Sequence, residues 1–414
     1  MEVTRTERHC FEMTNELYDV CHRSKNLYNA ANYLKRQAFF RDEEPPTAYT
    51  IIKQFTANNQ PDYRALPAQT AQQTLRLLDK DWTSYTALQK EWDNDPIAYL
   101  KRRHLPVSKL KEKPNFGKPR VPHYKEKDGV APVMFTNQQM RIRDGKMSFP
   151  AKAGLSFCLR TKVSGFHQVR IVPKYGVVFI EVVYDIDMPA ADVDSDNILS
   201  IDLGVNNIAT CFSSIGRRPF IVNGRPLKAI NQFFNKQRSR LMSFVGDKGT
   251  SHRIEKLTHK RNMMVSDYLH KTSSVIRQYC IDNRIGTVVI GKNDGWKQSV
   301  NIGKRNNQKF VFIPHSTLVE QLQYKLGDIG INVLLQEESY TSKVDHLAFE
   351  SMEHHVTYQG KRVKRGLFQS STGKRLNADC NGAIGIMRKV IGDVSLRELL
   401  DRGCVFQPLK INIV

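Results

Sequence analysis

The segment that most constrains the fold of this chain is the strand-like run ILSIDLGVNN, which spans residues 198–207. Apolar residues typical of β-strands surround Asp202, and Gly204 then introduces a turn that leads to two asparagines. A carboxylate inside an apolar strand is unfavourable unless it is hydrogen-bonded, paired with a cation or bound to a metal. The segment alone is equally consistent with a metal ligand and with a strand-end Asp that accepts hydrogen bonds from backbone amides.

The chain carries a large excess of positive charge. Its 63 Lys and Arg residues, against 41 Asp and Glu residues, give a formal net charge of +22. Such an excess attracts polyanions, and nucleic acid is the usual one. The alternative is a generally basic protein whose charges are solvated.

The length and composition are those of a globular protein with several domains. The 414 residues allow two or three domains, and the hydrophobic content is 40%. The N-terminal residues lack the apolar run of a signal peptide, and no segment approaches the roughly 20 apolar residues of a membrane span. The seven cysteines form no CxxC pair, which disfavours both disulfides and a Cys-rich zinc module. We therefore expect a prokaryotic cytoplasmic, nucleoid-associated protein with no membrane partner.

Hydrophobic periodicity predicts a helical part followed by a strand-rich part. Helical spacing extends over about residues 10–100. Within it, Gln69, Gln73 and Arg76 form a polar helix face that could contact nucleic acid, although a solvated face explains the same pattern. Short strands between residues 133 and 184 are typical of a small antiparallel barrel or sheet, and the acidic stretch at 185–197 is interpreted as a linker.

Residues 198–414 alternate between predicted strands and helices. The predicted elements are strands at 198–203, 208–213 and 219–222, a long basic helical region at 229–283, a strand at 287–290, a helix near 316–327, a strand at 331–336 and a helix that begins near residue 379. This order is that of an RNase H-like α/β domain.

Further carboxylates accompany Asp202 in this half of the chain. Asp379 lies at the start of the last predicted helix, where the alternative to a metal ligand is a helix N-cap. Glu337 and Glu338 follow the strand at 331–336, and side-chain alternation does not decide which of them faces Asp202, although we favour Glu338. Carboxylates that converge from separate elements are what two-metal hydrolysis of phosphodiesters requires. The candidate catalytic residues are therefore Asp202, Asp379, Glu338 and Glu337, and the candidate metal ligands are Asp202, Glu338 and Asp379.

Four blocks of the sequence together resemble the TnpB (OrfB) family of transposon-encoded RNA-guided nucleases, relatives of the compact type V CRISPR effectors. In chain order the blocks are IDLGVNN at 201–207, IGKNDGWKQ at 290–298, ESYTSK at 338–343 and NADCNGA at 377–383. The resemblance extends to FTNQQ at 135–139 and QVRIVP at 168–173, so it covers nearly the whole chain.

The resemblance implies a multidomain α+β and α/β fold. A helical recognition lobe, here about residues 10–100, would be inserted into a small β-barrel called the wedge, residues 1–184. An RNase H-like RuvC nuclease domain would then occupy residues 198–414, after the linker at 185–197.

The resemblance also implies an RNA-guided DNA endonuclease. Its partners would be a guide RNA and double-stranded target DNA with a short flanking motif. Base pairing would read the target, and the protein would read backbone shape and the motif. Two Mg²⁺ ions, for which Mn²⁺ is the expected substitute, would assist hydrolysis.

One departure from the family pattern bears directly on activity. Many relatives carry an acidic residue in the strand that here reads VVIGKN, where this chain has Gly291. A subset places the acid at the end of the neighbouring strand, where Glu337 and Glu338 stand. Because those strands are adjacent in the RNase H fold, a side chain from either could reach the same metal ions.

A second departure concerns the four-Cys zinc finger of the family. The corresponding insertion, residues 344–375, contains no cysteine, so no zinc is expected. Its histidines, His346, His354 and His355, are predicted to lie on the surface. Basic residues of the insertion are candidates for nucleic-acid contact instead: Lys361, Arg362, Lys364 and Arg365.

Two other groups are candidates for nucleic-acid contact. The first follows the strand at 287–290 and comprises Trp296, Lys297, Lys304 and Arg305. It is predicted to form a basic lid with the indole stacked on a base, and a buried structural Trp is the alternative. The second, His270 and Lys271, lies on the long helical region and could touch the guide–target duplex, although a solvated helix face is the favoured explanation.

Two related functions remain open at this point. A nuclease-dead, RNA-guided repressor is motivated by Gly291. A CRISPR-associated effector would share the chemistry and differ only in its genomic neighbourhood. A transposase proper is disfavoured because the blocks resemble the guided nucleases.

Overall fold

The computed structural model describes residues 2–103, 105–246, 249–292, 313–401 and 404–413. The chain divides into two compact units, one spanning Glu2–Ile186 and the other beginning at Asp187. This division lies inside the predicted linker. Strands extend into the linker from both sides, to Asp187 and from Asp194, so the irregular connection is shorter than the predicted 185–197.

The first unit has a helical segment between its first two strands. Its helices are α1 (Asn15–Phe40), α2 (Ala48–Ala57), α3 (Pro61–Arg64), α4 (Ala68–Asn94) and α5 (Pro96–Arg102). Helices α1 and α4 pack on each other and bury Leu17, Val20 and Leu27 from α1 with Leu75 and Leu78 from α4. The helical periodicity read from the sequence therefore corresponds to real helices whose apolar faces form the core of this unit.

The strands of the first unit form two sheets. They are β1 (Glu2–Glu12), β2 (Val133–Thr136), β3 (Arg141–Arg143), β4 (Lys146–Ser148), β5 (Cys158–Arg160), β6 (Gln168–Lys174) and β7 (Val177–Asp187). One sheet has the order β1-β7-β6-β2 and the other the order β3-β4-β5. The helices thus lie between two strands of one sheet in chain order, and the predicted wedge barrel with an inserted helical lobe stays a prediction.

The second unit is built on a six-stranded sheet with helices around it. Its first elements are β8 (Asp194–Asp202), β9 (Asn207–Ser213), β10 (Phe220–Asn223), α6 (Arg225–Val245), α7 (His252–Asp282) and β11 (Ile285–Gly291). Then come α8 (His315–Gly327), β12 (Asn332–Gln336), β13 (Lys361–Lys364), β14 (Leu367–Gln369), β15 (Arg375–Asn377), α9 (Ala378–Asp401) and β16 (Leu409–Ile411).

The sheet order β12-β11-β8-β9-β10-β16 places the first strand of the unit near the centre. Strands β12, β11 and β8 run parallel, whereas β9 is antiparallel to both β8 and β10. Because parallel strands end at the same edge of a sheet, the carboxyl ends of β8, β11 and β12 lie side by side. The three residues that end these strands are Asp202, Gly291 and Gln336.

The predicted helical region at 229–283 is two helices. Gly246, with φ of 78°, follows the last residue of α6 in a conformation that residues with a Cβ avoid. Ser251 then begins α7, and its hydroxyl accepts a hydrogen bond from the backbone N–H of Ile254 at 3.4 Å. Among the described residues, no helix combines the length and apolarity needed to cross a membrane.

Buried carboxylates organise the insertion at 344–375, which contains β13 and β14. Asp345 is fully buried and accepts hydrogen bonds from Ser370 Oγ at 2.8 Å and from the backbone N–H of Ser371 at 2.7 Å. Glu350, also buried, accepts from the backbone N–H of Asp345 at 2.8 Å. These bonds join the beginning of the insertion to its end.

Arg388 of α9 continues this network from outside the insertion. Its buried guanidinium donates to the carbonyl oxygens of Glu350 at 2.6 Å and Phe349 at 3.2 Å. It also forms an ion pair with Asp393 at 2.6 Å. The insertion is therefore anchored to the last helix by a buried, charge-assisted set of hydrogen bonds.

The prediction that His346 lies on the surface is wrong. The side chain is fully buried, with Nε2 2.8 Å from the carbonyl oxygen of Thr341. Burial, the first cause, lowers the pKa of His346 to about 4, with the nearby positive charge of Arg388 acting in the same direction. Periodicity could not reveal this burial because the segment is made of turns; His354, by contrast, is exposed as predicted.

Candidate active site

Asp202 lies where the central strand meets the last helix. It ends β8, between β11 and β9, and its side chain lies against the first turns of α9. A Cβ at Gly382 of α9 would be only 2.5 Å from Asp202 Oδ2, so glycine leaves the room that this carboxylate occupies. Ser200, two residues earlier, donates to the carbonyl oxygen of Ala383 at 2.8 Å and holds strand and helix together.

Glu338 lies over the end of the neighbouring strand. It follows β12, whose last residue pairs with Gly291 at the end of β11. A Cβ built on Gly291 would be 2.1 Å from Glu338 Oε1 and 2.8 Å from Glu338 Cγ, which is closer than atoms can approach. The Glu338 side chain thus occupies the space that any side chain at position 291 would need.

Glu337 is directed elsewhere. It is exposed, and its carboxylate accepts from the backbone N–H of Ser339 at 2.9 Å and pairs with Lys389 Nζ at 3.1 Å. Hydrogen bonding to Ser339, followed by the Lys389 contacts, holds the pKa of Glu337 below its ordinary value. The two adjacent glutamates therefore differ in environment, and only Glu338 lies beside the end of β11.

Asp379 lies in the first turn of α9 but does not cap it. The cap is Asn377, whose side-chain oxygen accepts from the backbone N–H of Asp379 at 2.9 Å and of Cys380 at 3.3 Å. The Asp379 carboxylate instead accepts a hydrogen bond from Asn207 Nδ2 at 2.6 Å. The N-cap alternative considered from the sequence is thus taken by a different residue, and Asp379 is turned toward the end of the DLGVNN segment.

Burial and neighbouring negative charges raise the pKa values of two of the three carboxylates. Burial, and then the negative charges of Glu338 and Asp379, raise the pKa of Asp202 well above its ordinary value. Burial and the charge of Glu337 raise the pKa of Glu338 to about 7. Like charges that face one another in a partly desolvated site are unfavourable unless protons or cations neutralise them.

Two basic side chains offset part of this repulsion. Arg362 of β13 lies close enough to Asp202 to lower its pKa, against the larger raising causes. Lys389 of α9 acts in the same way on Glu338. The insertion thereby places positive charge near the carboxylates, although Arg362 itself is exposed.

The donor chemistry of the site suits a hard divalent cation. Asp202, Glu338 and Asp379 offer only oxygen atoms, which Mg²⁺ and Mn²⁺ prefer, and a bound cation would relieve the repulsion that, after burial, raises the pKa of Asp202. Among the described residues, however, no three His, Cys, Asp or Glu side chains are arranged so that they could hold a metal ion as they stand. The type and charge of these residues therefore suit a divalent cation, although their side chains are not arranged around a common metal position.

The residues of the first unit that were predicted to contact nucleic acid differ in their burial and hydrogen bonding. Gln69 donates to Gln138 Oε1 at 2.8 Å and accepts from the Thr136 hydroxyl, so its amide is bonded within the unit. Gln73 is partly buried and Arg76 is exposed on α4. Contact of these residues with nucleic acid stays a prediction.

The remaining nucleic-acid candidates belong to the second half of the chain. His270 and Lys271 are exposed on α7, where Lys271 pairs with Asp267 at 3.1 Å. The predicted lid, Trp296, Lys297, Lys304 and Arg305, lies outside the described residues.

The sequence did not reveal how three further residues shape the site. Asn207 was noted only as an amide of the turn, and the roles of Gly291 and Gly382 depend on contacts between distant segments. The sequence signal for Asn207 was its place in the same short block as Asp202. Gly291 stood out only as the position of a missing acid and Gly382 not at all, since a missing side chain says nothing about which atom fills the space.

Family models match two segments of this chain. Residues 181–297 match OrfB_IS605, described as "Probable transposase", and residues 315–386 match the Cas12f1-like TNB domain. The predicted resemblance is confirmed over these segments, to the OrfB family for residues 181–297 and to the compact Cas12f-type effectors for residues 315–386. Together they contain Asp202, Asn207, Glu338 and Asp379, the residues that form the site. No curated protein matches the chain.

Solved structures of compact CRISPR proteins show distant likeness. A chain from a cryo-EM structure of the Cas12f1-sgRNA-target DNA complex is 15% identical with a TM-score of 0.37, covering 93% of this chain and 98% of that one. A chain of a CRISPR-Cas12f ternary complex is 13% identical, with a TM-score of 0.36 and coverages of 90% and 80%. The mini-RNA-guided endonuclease CRISPR-Cas_phi3 is 8% identical, with a TM-score of 0.42 and coverages of 99% and 93%.

Proposed function

We propose that this protein is an RNA-guided DNA endonuclease that hydrolyses phosphodiester bonds with the help of two divalent cations. The observation that carries the proposal is the meeting of three carboxylates from three separate elements: Asp202 at the end of β8, Glu338 after β12 and Asp379 in α9. Besides burial, the negative charges of Glu338 and Asp379 both raise the pKa of Asp202. Carboxylates brought together from distant parts of the sequence repel one another, and bound cations would compensate for that repulsion.

The proposed ligands of the cations are Asp202, Glu338 and Asp379. Bound Mg²⁺ would activate a water molecule and stabilise the leaving oxygen. Asn207 orients Asp379 by its hydrogen bond, and Gly291 and Gly382 leave the space that Glu338 and Asp202 occupy. Arg362 and Lys389 partly neutralise the carboxylates in the absence of metal.

The site also weakens the case for a nuclease-dead repressor. That alternative was motivated by the missing acid at position 291. In the structure Glu338 occupies the space beside Gly291, so a third carboxylate is present at the same strand edge although it comes from another strand. The proposal therefore does not need an acidic residue in β11.

Nucleic-acid partners follow from charge and from the matched segments. A net charge of +22 attracts a polyanion. Two of the similar structures are described with sgRNA and target DNA or as ternary complexes. We propose a guide RNA and a double-stranded DNA target with a short flanking motif as partners of this protein too, whether the locus is a transposon or a CRISPR array.

Cleavage of a guide-matched plasmid library tests the proposal. The full-length protein is purified with the RNA it binds in cells, and the plasmids carry a matched target beside a randomised flank. Wild-type protein should linearise a subset of plasmids when Mg²⁺ is present. Asp202→Ala removes cation binding that contributes several kcal/mol to transition-state stabilisation, so cleavage should fall roughly a thousandfold.

The two adjacent glutamates supply the matched control. Glu338→Gln should abolish cleavage, whereas Glu337→Gln, which removes the same charge one residue away, should retain most of it. All variants should still bind the matched DNA. Metal-dependent cutting by Asp202→Ala, or intact plasmids with wild-type protein at every flank, would contradict the proposal.

A further inference from the structure

A cleft between the two long helices of the second unit combines aromatic rings with basic side chains. The cleft measures about 700 Å³ and lies between α6 and α7. Its lining residues are Phe233, Gln237, Arg240, Leu241, Phe244, Arg253, Lys256, Leu257 and Lys260. The charged residues of this lining are all basic in the part of the chain that the structure describes, and they come from both helices.

The two phenylalanines are unusually exposed for their type. Phe233 is 60% exposed and Phe244 is 78% exposed, whereas Phe234, between them on the same helix, is buried in the contact with α7. Burying one such ring from water contributes roughly 1.5–3 kcal/mol to folding, so leaving two rings outside forgoes that stabilisation. Exposed aromatic rings gathered in one cleft are more typical of a binding surface than of a solvated helix face.

Basic and aromatic side chains together recognise one chemistry in particular. Phosphates pair with Arg and Lys, and unpaired bases stack on aromatic faces without sequence preference. A double helix hides its base faces, so rings such as Phe233 and Phe244 could not stack on it. The surface therefore fits an unpaired strand better than a duplex.

We propose that the α6–α7 cleft binds a single-stranded nucleic-acid segment, with bases stacked on Phe233 and Phe244 and phosphates paired with Arg240, Arg253, Lys256 and Lys260. The proposal rests on nucleic acid being the partner of this protein, but not on cleavage. Unpaired RNA and a displaced DNA strand share this chemistry. The surface is separate from the carboxylate site, since none of the cleft residues takes part in that site.

Binding of labelled homopolymers to the RNA-free, full-length protein tests this site. Fluorescence anisotropy is measured with 20-nucleotide oligouridylate and with 20-nucleotide oligodeoxythymidylate, both without divalent metal. Stacking is worth roughly 1–3 kcal/mol per base, so Phe244→Ala and Phe233→Ala should each weaken binding at least about fivefold. The polymer that wild-type protein binds more tightly indicates whether the single strand in the cleft is RNA or DNA.

Charge variants on the same helices give a matched comparison. Arg240→Gln with Lys256→Gln removes two charges from the cleft, and Lys236→Gln with Arg238→Gln removes two exposed charges from α6 outside the lining. The cleft pair should reduce the slope of log affinity against log salt by about 1.4, since each single-strand phosphate contact contributes about 0.7. The Lys236→Gln and Arg238→Gln pair should change this slope by less than half as much as the cleft pair does.

The outcomes separate this inference from the proposed activity. If the ring variants and the cleft pair bind both polymers like wild type, the inference is wrong even if plasmid cleavage succeeds. Loss of self-association in Phe244→Ala, measured by light scattering, with unchanged polymer binding would assign the cleft to a second copy of the chain and overturn the inference. Weakened polymer binding with normal folding supports it even if no cleavage is found.

Discussion

Glu337 and Glu338 are neighbours in sequence with opposite environments. Glu337 is exposed and paired with Lys389, and its pKa is lowered. Glu338 is partly buried, and its pKa is raised to about 7. An acid whose pKa is raised by folding stabilises the folded state only while it is protonated. In metal-free protein, the stability due to Glu338 is therefore lost as pH rises from its ordinary value of 4.5 through about 7.

Glu338→Gln should consequently stabilise the metal-free protein at pH 8 by roughly 1–3 kcal/mol, because it removes a buried charge. The gain should disappear near pH 4, where Glu338 is protonated in both states. Glu337→Gln should instead cost less than about 1 kcal/mol at pH 8, since its ion pair is exposed. Urea unfolding in EDTA at the two pH values measures both, and equal effects of the two variants would contradict the assignment.

Gly291 is the second residue whose role can be tested directly. In Gly291→Ala the new Cβ would lie 2.1 Å from Glu338 Oε1 and 2.4 Å from Ile386 Cδ1, so Glu338 has to move. Overpacking of this kind costs roughly 1–3 kcal/mol, and we expect cleavage of matched DNA to fall with it. Thermal unfolding and plasmid cleavage are the measurements.

Gly327→Ala is the matched control for Gly291→Ala. Nothing lies within 4 Å of a Cβ at Gly327, the last residue of α8. This variant should keep wild-type stability or gain up to about 1 kcal/mol, as alanine favours helices. If Gly291→Ala were as stable and as active as this control, Glu338 would not be held where the proposal needs it.

The site could be predicted from sequence only in part. Asp202 stands out because a carboxylate interrupts an apolar strand, and Asp379 because it begins a helix. The choice between Glu337 and Glu338 could not be made, because β12 ends at Gln336 and strand alternation ends with it. The turn that follows decides which side chain faces β11, and turns carry no periodic signal.

At the scale of elements, the predicted strands and helices of the second unit occur in the predicted order, and strands β13 to β16 are additional to them. The differences have physical causes. In the first unit, strand β1 was not identified from the sequence because only Val3 among its residues is buried, so it lacks an apolar pattern. Strand β13 was missed for the same reason, since all of its residues, KRVK, are exposed. Hydrophobic periodicity arises because one face of a strand or helix is buried. It therefore gives no signal for an element with few buried residues.

The insertion at 344–375 shows how buried polar groups can substitute for apolar packing. Asp345, Glu350 and Arg388 are buried and bonded to one another's backbone or to neighbouring hydroxyls. Removing one member leaves the remaining buried groups without a partner, which costs more than the bond itself. The fold of the insertion should thus depend on Arg388, and the prediction that it binds no zinc implies that metal removal leaves it intact.

Arg388→Met should destabilise the insertion by roughly 3–5 kcal/mol, as expected for one partner removed from a buried charged network. Arg397→Met, on the other side of the kink at Gly392 in α9, is the control, since Arg397 is exposed, lies over the Phe349 ring at 4.4 Å and acts on Asp393 only through its charge. That change should cost about 0.5–1 kcal/mol. Limited proteolysis within residues 344–375 and hydrogen exchange measure both effects.

EDTA supplies the complementary test of the insertion. Treatment with EDTA should leave the protease resistance of the wild-type insertion unchanged, because carboxylate and guanidinium groups hold it. Faster proteolysis after EDTA, restored by added Zn²⁺, would contradict the predicted absence of a zinc site.

At the scale of the whole molecule, net charge should govern the first, sequence-independent association with nucleic acid. A formal charge of +22 should attract polyanions to the RNA-free protein through counterion release. If the proposed guide RNA binds, its phosphates would offset this charge. Under the proposed function, selectivity for matched DNA would then require that RNA fills the basic surfaces first.

Loading with RNA should therefore weaken the binding of random duplex DNA. Fluorescence anisotropy with a labelled 30-base-pair random duplex measures this between about 50 and 200 mM KCl, a range over which added salt strongly weakens binding that depends on phosphate contacts. If RNA-free protein neutralises about six phosphates, log affinity should fall against log salt with a slope near −5. RNA-loaded protein should show both lower affinity and a shallower slope. Equal affinities and slopes for the two forms would mean that RNA and duplex occupy separate basic surfaces, and that charge neutralisation does not account for selectivity.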